Sequence, residues 1–334
     1  MDIKEGIIER HYVLGILYLI LAIFLFGCGA GGQIMDGDGM INPYEEDYEQ
    51  ECGTGDEIIE LEMDPVESDD TAEFENAEAE KKYEFITSSG MTLEERIVVP
   101  EGYERTETAN DSLTGFLRAY PMKKYGNEVH YYDGRAKSYA AQVAVFDMYL
   151  GEKDLQQCAD SVIRIYAEYL RKSGRQDEIA FHFVSGFLCD YKSWLAGNKV
   201  AVAGNDVSWI AGAKRTDTDE TFEAYLDTVF CYASTISLKK ESESISLSDA
   251  EPGDIFIKAG SPGHVVMIAD VCVKDGEKAF LLAQGYMPAQ DFYVLRNDLH
   301  IEDPWYYEDE ITYPFCTPEY VFDEECLMRP VYLQ

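Results

Sequence analysis

The chain has 334 residues, 46% of them apolar, a composition that suits one large globular domain or two small ones. Its formal net charge of −37 argues against nucleic acid as a partner, because a phosphate backbone demands a basic face. That charge is uneven: residues 29–80 hold 19 Asp and Glu and no Lys or Arg.

Near the N-terminus, Tyr12 to Phe26 is a continuous apolar run (YVLGILYLILAIFLF), preceded by Arg10 and His11 and followed by Gly27-Cys28-Gly29. Fifteen such residues are short for a spanning helix and suit the core of a signal peptide. Leu25-Phe26-Gly27-Cys28 resembles the lipobox of bacterial lipoproteins. The resemblance implies that residues 1–28 are a lipoprotein signal peptide, with cleavage and lipidation at Cys28 and a membrane attachment through that lipid. Phe26 is bulkier than the pattern prefers, and Asp2, Glu5 and Glu9 dilute the positive n-region, so an uncleaved anchor helix is the alternative. Either way the remainder is expected outside the cytoplasm, in the cell envelope. Residues 29–80 read as an acidic disordered tether, low in periodic apolar residues and self-repelling. As a random coil it would span on the order of 40 Å.

The chain contains eight cysteines. With Cys28 assigned to lipid, an odd number remains for disulfides. Cys189, Cys231 and Cys272 sit in apolar patterns and are expected as buried core thiols. Cys316 and Cys326 are close enough in the chain to bridge, and Cys52 falls in the acidic segment. There is no CxxC and no His–Cys cluster at ligand spacing, so neither a metal nor another cofactor is expected.

Residues 81–334 are expected to form a single α+β domain. Ile97-Val98-Val99 reads as a short strand, Asp111 to Tyr120 as a brief amphipathic helix, and Glu128–Asp133 and Gln142–Leu150 as strands. Next, Leu155, Cys158, Ala159, Val162, Ile165, Tyr166 and Tyr169 recur with helical spacing, with Asp154 as N-cap and Gln157 completing a capping box. Arg171, Lys172 and Gly174 supply the stop. Cys158 therefore falls in the first turn, where the helix dipole lowers a thiol pKa and favours a nucleophile. His130 reads as part of a half-exposed strand with no role beyond a substrate contact, His182 as structural, and Asn205-Asp206 as a hairpin turn. A second helix is expected over Asp219–Leu238, then a polar linker over Ser242–Ser248. Pro252-Gly253-Asp254 turns into a short strand, and a Gly/Ser/Pro loop (Gly260 to Gly263) leads to a buried strand opening at His264. Ala279–Gln284 follows the Asp275-Gly276 turn and should pair antiparallel with it. The remainder, with Trp305, Pro314 and Pro318, reads as loops wrapping the domain.

A cysteine at a helix start, a later strand opening with histidine and a polar residue on the next strand make an ordered set: Cys158, His264, Gln284. The Pro252-Gly253-Asp254-Ile255 turn with Gly263-His264-Val265 resembles the histidine-strand signature of NlpC-type papain-like cysteine peptidases and amidases. The segments DLQQCAD, SPGHVV and LLAQGYMPAQ also resemble a family of bacterial lipoproteins known only as a domain of unknown function. The first resemblance implies a papain-like (NlpC-type) fold, a cysteine-bearing helix on an antiparallel sheet with insertions. It also implies a surface-tethered cysteine hydrolase acting on an amide or peptide, with cell-wall peptide as a candidate substrate. Cys158 would be the nucleophile, His264 the base and Gln284 the group orienting the imidazole. The Cys158 amide with Gln157 would hold the oxyanion, and Ser261, Gly263, Tyr286 and Trp194 would line the substrate cleft.

Departures from that pattern are plain. Gln157-Cys158-Ala159-Asp160 replaces the Asp/Asn-Cys-Ser-Gly usual in those enzymes, and residues 179–240 act as an insertion between Cys158 and His264. The face of Gln284 depends on the hairpin loop: two residues put it opposite to His264, three put it on the same face. Each residue alone also has an ordinary structural explanation, as a core cysteine or a hydrogen-bonded strand histidine. A non-catalytic envelope lipoprotein that binds a ligand or partner, and an acyl or thioester transferase using the same dyad, are the alternatives.

Overall fold

The computed structural model describes residues 84–333 apart from Ala140. The expected signal peptide (1–28), Cys28 and the tether (29–80) lie outside the described residues. In chain order the helices are α1 (Leu93–Arg96), α2 (Leu113–Arg118), α3 (Cys158–Lys172), α4 (Tyr191–Leu195), α5 (Asp219–Tyr232) and α6 (Thr235–Lys240). The strands are β1 (Glu104–Arg105), β2 (Gln142–Val145), β3 (Ala180–His182), β4 (Leu188–Asp190), β5 (Lys199–Ala203), β6 (Asp206–Ile210), β7 (Ser242–Ser244) and β8 (Ile255–Lys258). They continue as β9 (His264–Lys274), β10 (Glu277–Gln284), β11 (Tyr293–Leu295), β12 (Trp305–Tyr307), β13 (Phe315–Thr317), β14 (Tyr320–Phe322) and β15 (Leu327–Pro330).

The main sheet runs β2-β11-β10-β9-β8-β15-β7, with β1 beside β9 and β12 beside β10. Its pairings are antiparallel, and the β3–β4, β5–β6 and β13–β14 hairpins stand apart from it. The fold is α+β with an antiparallel sheet.

Strands β9 and β10 form its centre, and their register decides what faces what. Lys274 pairs with Glu277, so the connecting turn has two residues, Asp275 (φ 54°) and Gly276 (φ 96°). Both occupy the left-handed region that a tight type I′ turn requires. A regular ladder from that turn would place Gln284 opposite Met267, away from His264. The ladder is not regular. Leu281 pairs with Asp270, but Leu282 pairs with Ile268, leaving Ala269 as an extra residue on β9. This β-bulge moves the register by one, and one step of register turns every later side chain to the other face. Ala283 then opposes Met267, and Gln284 shares a face with His264.

The alternation places two cores. Val265, Met267, Ala269, Leu281 and Ala283 join Val162, Ile165 and Tyr166 of α3 in one cluster. Val266, Ile268, Leu282 and Tyr293 join Phe315 and Phe322 of the β13–β14 hairpin in the other. Helix α3 thus packs on one face and the C-terminal hairpin on the opposite one. Asp270, fully buried near the bulge, pairs with the half-buried Arg105 (2.5 Å) and the buried Arg118 (2.8 Å).

Several expected elements differ. Glu128–Asp133 makes only isolated bridges, His130 to Ala136 and Tyr131 to Gln290. The strand expected over Gln142–Leu150 ends at Val145, because its partner β11 is three residues long. The single helix over Asp219–Leu238 is two: Ala233 is extended (ψ 166°), and the Ser234 hydroxyl accepts the Ile236 amide to start α6. The expected linker includes β7, and the expected C-terminal loops include β12 to β15, where alternating aromatic residues pack on the sheet.

Candidate functional site

Helix α3 starts at Cys158, with Gln157 rather than Asp154 as its N-cap. The Gln157 amide donates to Asp160 Oδ2 at 3.1 Å. Asp154 has another use: its Oδ1 accepts from Gln157 Nε2 (3.2 Å) and from the Ala289 amide (2.7 Å), tying the helix entry to the segment after Gln284. Every residue from Cys158 to Ala167 is buried, so the first turns of α3 are enclosed on all sides, as a core helix is. Gly285 permits this approach: a Cβ there would lie 2.5 Å from Ser161 Oγ.

Burial pushes the Cys158 thiol up to about 12, and the Asp160 carboxylate adds to the rise, while the amides of Ala159, Val265 and Cys158 itself pull it down. The expectation of a depressed thiol pKa is therefore overturned. The helix terminus is there, but desolvation of the thiolate outweighs it. Asp160 is pushed up to about 8 by its own burial, and its Oδ1 has no hydrogen-bond partner.

His264 opens β9. Its Nε2 lies 2.7 Å from Gln284 Oε1. The Gln284 amide nitrogen donates to the Tyr293 hydroxyl (2.9 Å) and to Glu319 Oε2 (2.8 Å). The Tyr293 hydroxyl donates to Glu319, and Lys137 Nζ donates to Glu319 and to the Tyr293 oxygen. With the Gln284 NH₂ end occupied, its carbonyl oxygen faces the imidazole, so hydrogen-bond logic assigns the His264 proton to Nε2 and the lone pair to Nδ1. Burial pulls the imidazole down to about 4, against the Gln284 bond that raises it and with the Lys137 charge that lowers it further.

The Val265 amide, which helps to lower the Cys158 thiol, belongs to the residue after His264. Thiol and imidazole thus share one end of the sheet, although α3 and the His264 ring lie on opposite faces. Among the described residues no direct hydrogen bond joins them. The His264 ring is covered by Tyr286 (4.7 Å between centroids), Tyr320 (4.8 Å) and Phe322 (6.1 Å). Cys158 is 8% exposed and His264 2%. A cavity of about 180 Å³ beside the start of α3 is bounded by Tyr149, Gln156, Arg164, Glu223, Asp227 and Phe230, and neither Cys158 nor His264 lines it.

Of the other expected residues, Tyr286 packs on the His264 ring, and Gln157 caps the helix that starts at Cys158. Gly263 immediately precedes His264, and a Cβ there would fall 2.4 Å from Thr235 Oγ1, so the loop needs glycine. Ser261 is exposed in that loop. Trp194 does not join them: its ring packs against Tyr225 and Arg215, and its Nε1 donates to Thr221 O. Lys137, Tyr293 and Glu319 carry no local sequence signal: Lys137 lies 156 and 182 residues before the other two, which are themselves 26 apart; the Tyr320/Phe322 alternation is the readable hint of the hairpin. Cys189 and Cys272 are buried thiols, but Cys231 is exposed on α5. The Cys316–Cys326 bridge does not form: Cys326 is a buried free thiol and Cys316 is disulfide-bonded. Among the described residues no group of three or more His, Cys, Asp or Glu could hold a metal ion, and no helix is long and apolar enough to cross a membrane.

Residues 93–329 match the model of a family described as a domain of unknown function (4846). The chain belongs to this family. The match spans both Cys158 and the Lys137–Glu319 network, so the whole site lies inside the family's domain. No curated protein and no solved structure matches the chain.

Proposed function

We propose that this protein is a cysteine hydrolase of papain-like, NlpC-type architecture that cleaves an amide or peptide bond. The observation that carries this reading is the His264 Nε2 to Gln284 Oε1 contact at 2.7 Å, with the amide held from behind so that Nδ1 keeps its lone pair. In the proposed reaction the Cys158 and His264 side chains meet around the end of the sheet when substrate binds, the thiol proton passes to Nδ1 and sulfur bonds to the substrate carbonyl carbon. The oxyanion is met by backbone amides at the α3 N-terminus. Collapse expels the amine, which takes the proton from Nδ1, and water then releases the acyl group from sulfur. Burial raises the thiol and lowers the imidazole, so both groups rest neutral in the free chain. Cleavage and lipidation at Cys28, with residues 29–80 as tether, would hold the enzyme at the outer side of a membrane, within reach of wall peptide.

The covering of His264 by Tyr286, Tyr320 and Phe322 favours a second reading, a non-catalytic envelope protein whose Cys158 is core. One experiment separates the two. A thiol-directed amide electrophile, mapped by peptide mass spectrometry, should label Cys158 in the native chain, and His264→Ala should suppress that labelling. Equal labelling of both, or none in either, removes the hydrolase reading.

A further inference from the structure

Behind Gln284 lies a group of side chains for which the hydrolase chemistry names no role. Lys137, Tyr293 and Glu319 come from three distant segments, and Lys137 and Glu319 are 11% and 9% exposed in their side chains. The ammonium also sits over the Tyr286 and Tyr293 rings, 5.1 and 5.5 Å from their centroids.

Their donor and acceptor capacities differ in a way that matters. The Gln284 amide can turn over, presenting either its oxygen or its nitrogen to His264. The Tyr293 hydroxyl can donate or accept, so by itself it leaves the amide undecided. Lys137 is donor-only. Glu319, paired with Lys137, presents its two carboxylate oxygens as acceptors. It already accepts from Lys137, from Tyr293 and from Gln284 Nε2. A reversed amide would aim the Gln284 carbonyl oxygen at this carboxylate, acceptor against acceptor, in a place where unpaired polar groups are costly.

We infer that Glu319, held by Lys137, is a positioning residue that sets the orientation of the Gln284 amide and through it the tautomer of His264. The donor direction runs one way along the chain of contacts: Lys137 and Tyr293 to Glu319, Gln284 Nε2 to Glu319, His264 Nε2–H to Gln284 Oε1. Nδ1 is left as the acceptor. The carboxylate reaches the imidazole only through the amide, so it orients rather than touches the reacting atoms. Glu319 stands in the β13–β14 turn, one residue before Tyr320, which stacks on His264. The same hairpin therefore covers the imidazole and selects its protonated nitrogen.

This role rests on the hydrolase reading for its purpose, but its test does not. In the full chain carrying ¹⁵N-histidine, with the His264 signal assigned by its loss in His264→Ala, the wild type should show the proton on Nε2. Glu319→Gln frees Lys137 to donate to the Gln284 oxygen, and the proton should move to Nδ1 or be shared between the nitrogens. Glu319→Ala serves as the second variant if the first does not fold, and circular dichroism reports folding of each. A His264 proton that stays on Nε2 in a folded Glu319 variant overturns the inference, as does a wild type with the proton on Nδ1. Alkylation of Cys158 is read separately: an inert wild-type thiol with a tautomer that still depends on Glu319 would end the hydrolase reading and keep the positioning role.

Discussion

Asp160 offers a sharp test of how burial competes with helix electrostatics at the site. Its carboxyl is raised from 3.8 to about 8, because desolvation exceeds the help it gets from the amides of Gln157 and Asp160 itself. A carboxyl whose pKa is raised by folding stabilises the fold most below its unfolded value, and that contribution is lost as pH rises through the folded value. The window here runs from 3.8 to about 8. At about 1.4 kcal/mol per unit the ceiling is about 6 kcal/mol. Asp160→Asn keeps the shape and an acceptor for the Gln157 amide but has no charge to desolvate. Urea unfolding of both full chains from pH 5 to pH 8 should therefore show the variant gaining on the wild type by about 2–4 kcal/mol across that range. The Cys158 thiol loses a neighbouring negative charge in the same variant, so the midpoint of its alkylation profile should move to lower pH. A stability difference that stays flat with pH would refute the reasoning, because it would mean that Asp160 is ionised and satisfied in the folded chain.

Two further substitutions probe how the site is held. Gly285→Ala puts a Cβ 2.5 Å from Ser161 Oγ, so it should destabilise by about 1–3 kcal/mol in a denaturant melt through overpacking, and a neutral effect would mean that the α3 entry is looser than described. Asp270→Asn leaves Arg105 and Arg118 without their shared buried carboxylate and should cost about 3–5 kcal/mol by the same measurement; a loss well under that range would place those guanidiniums in water.

How much of this was readable beforehand depended on local pattern. The 3.6-residue recurrence from Leu155 to Tyr169 announced α3, and the Asp275-Gly276 turn announced the central hairpin. His264 and Gln284 were legible as partners from adjacent strands, and their side chains meet at 2.7 Å; no hydrogen bond joins Cys158 to them. The register that brings His264 and Gln284 to one face was not legible. Both faces of β9 are buried, so Val265 to Ala269 are all apolar and the alternation that would betray an inserted residue is missing. The cap was misplaced for a similar reason: Asp154 is a good capping residue, but its carboxylate is engaged by the Ala289 amide, a partner 135 residues away. The thiol pKa was misjudged because helix position can be read from a sequence while enclosure on every side cannot.

The C-terminal hairpin also imposes an order in time. Residues 315–322 are synthesised more than 150 residues after Cys158 and some 50 after His264. Until they arrive, Gln284 has no carboxylate against its amide and His264 has no Tyr320 or Phe322 above it. A chain made only as far as Gln284 carries the thiol, the imidazole and the amide but neither Glu319 nor the rings of the hairpin. The amide and the imidazole gain these partners only when the β13–β14 hairpin folds back onto the sheet, which cannot happen before Phe322 has been made.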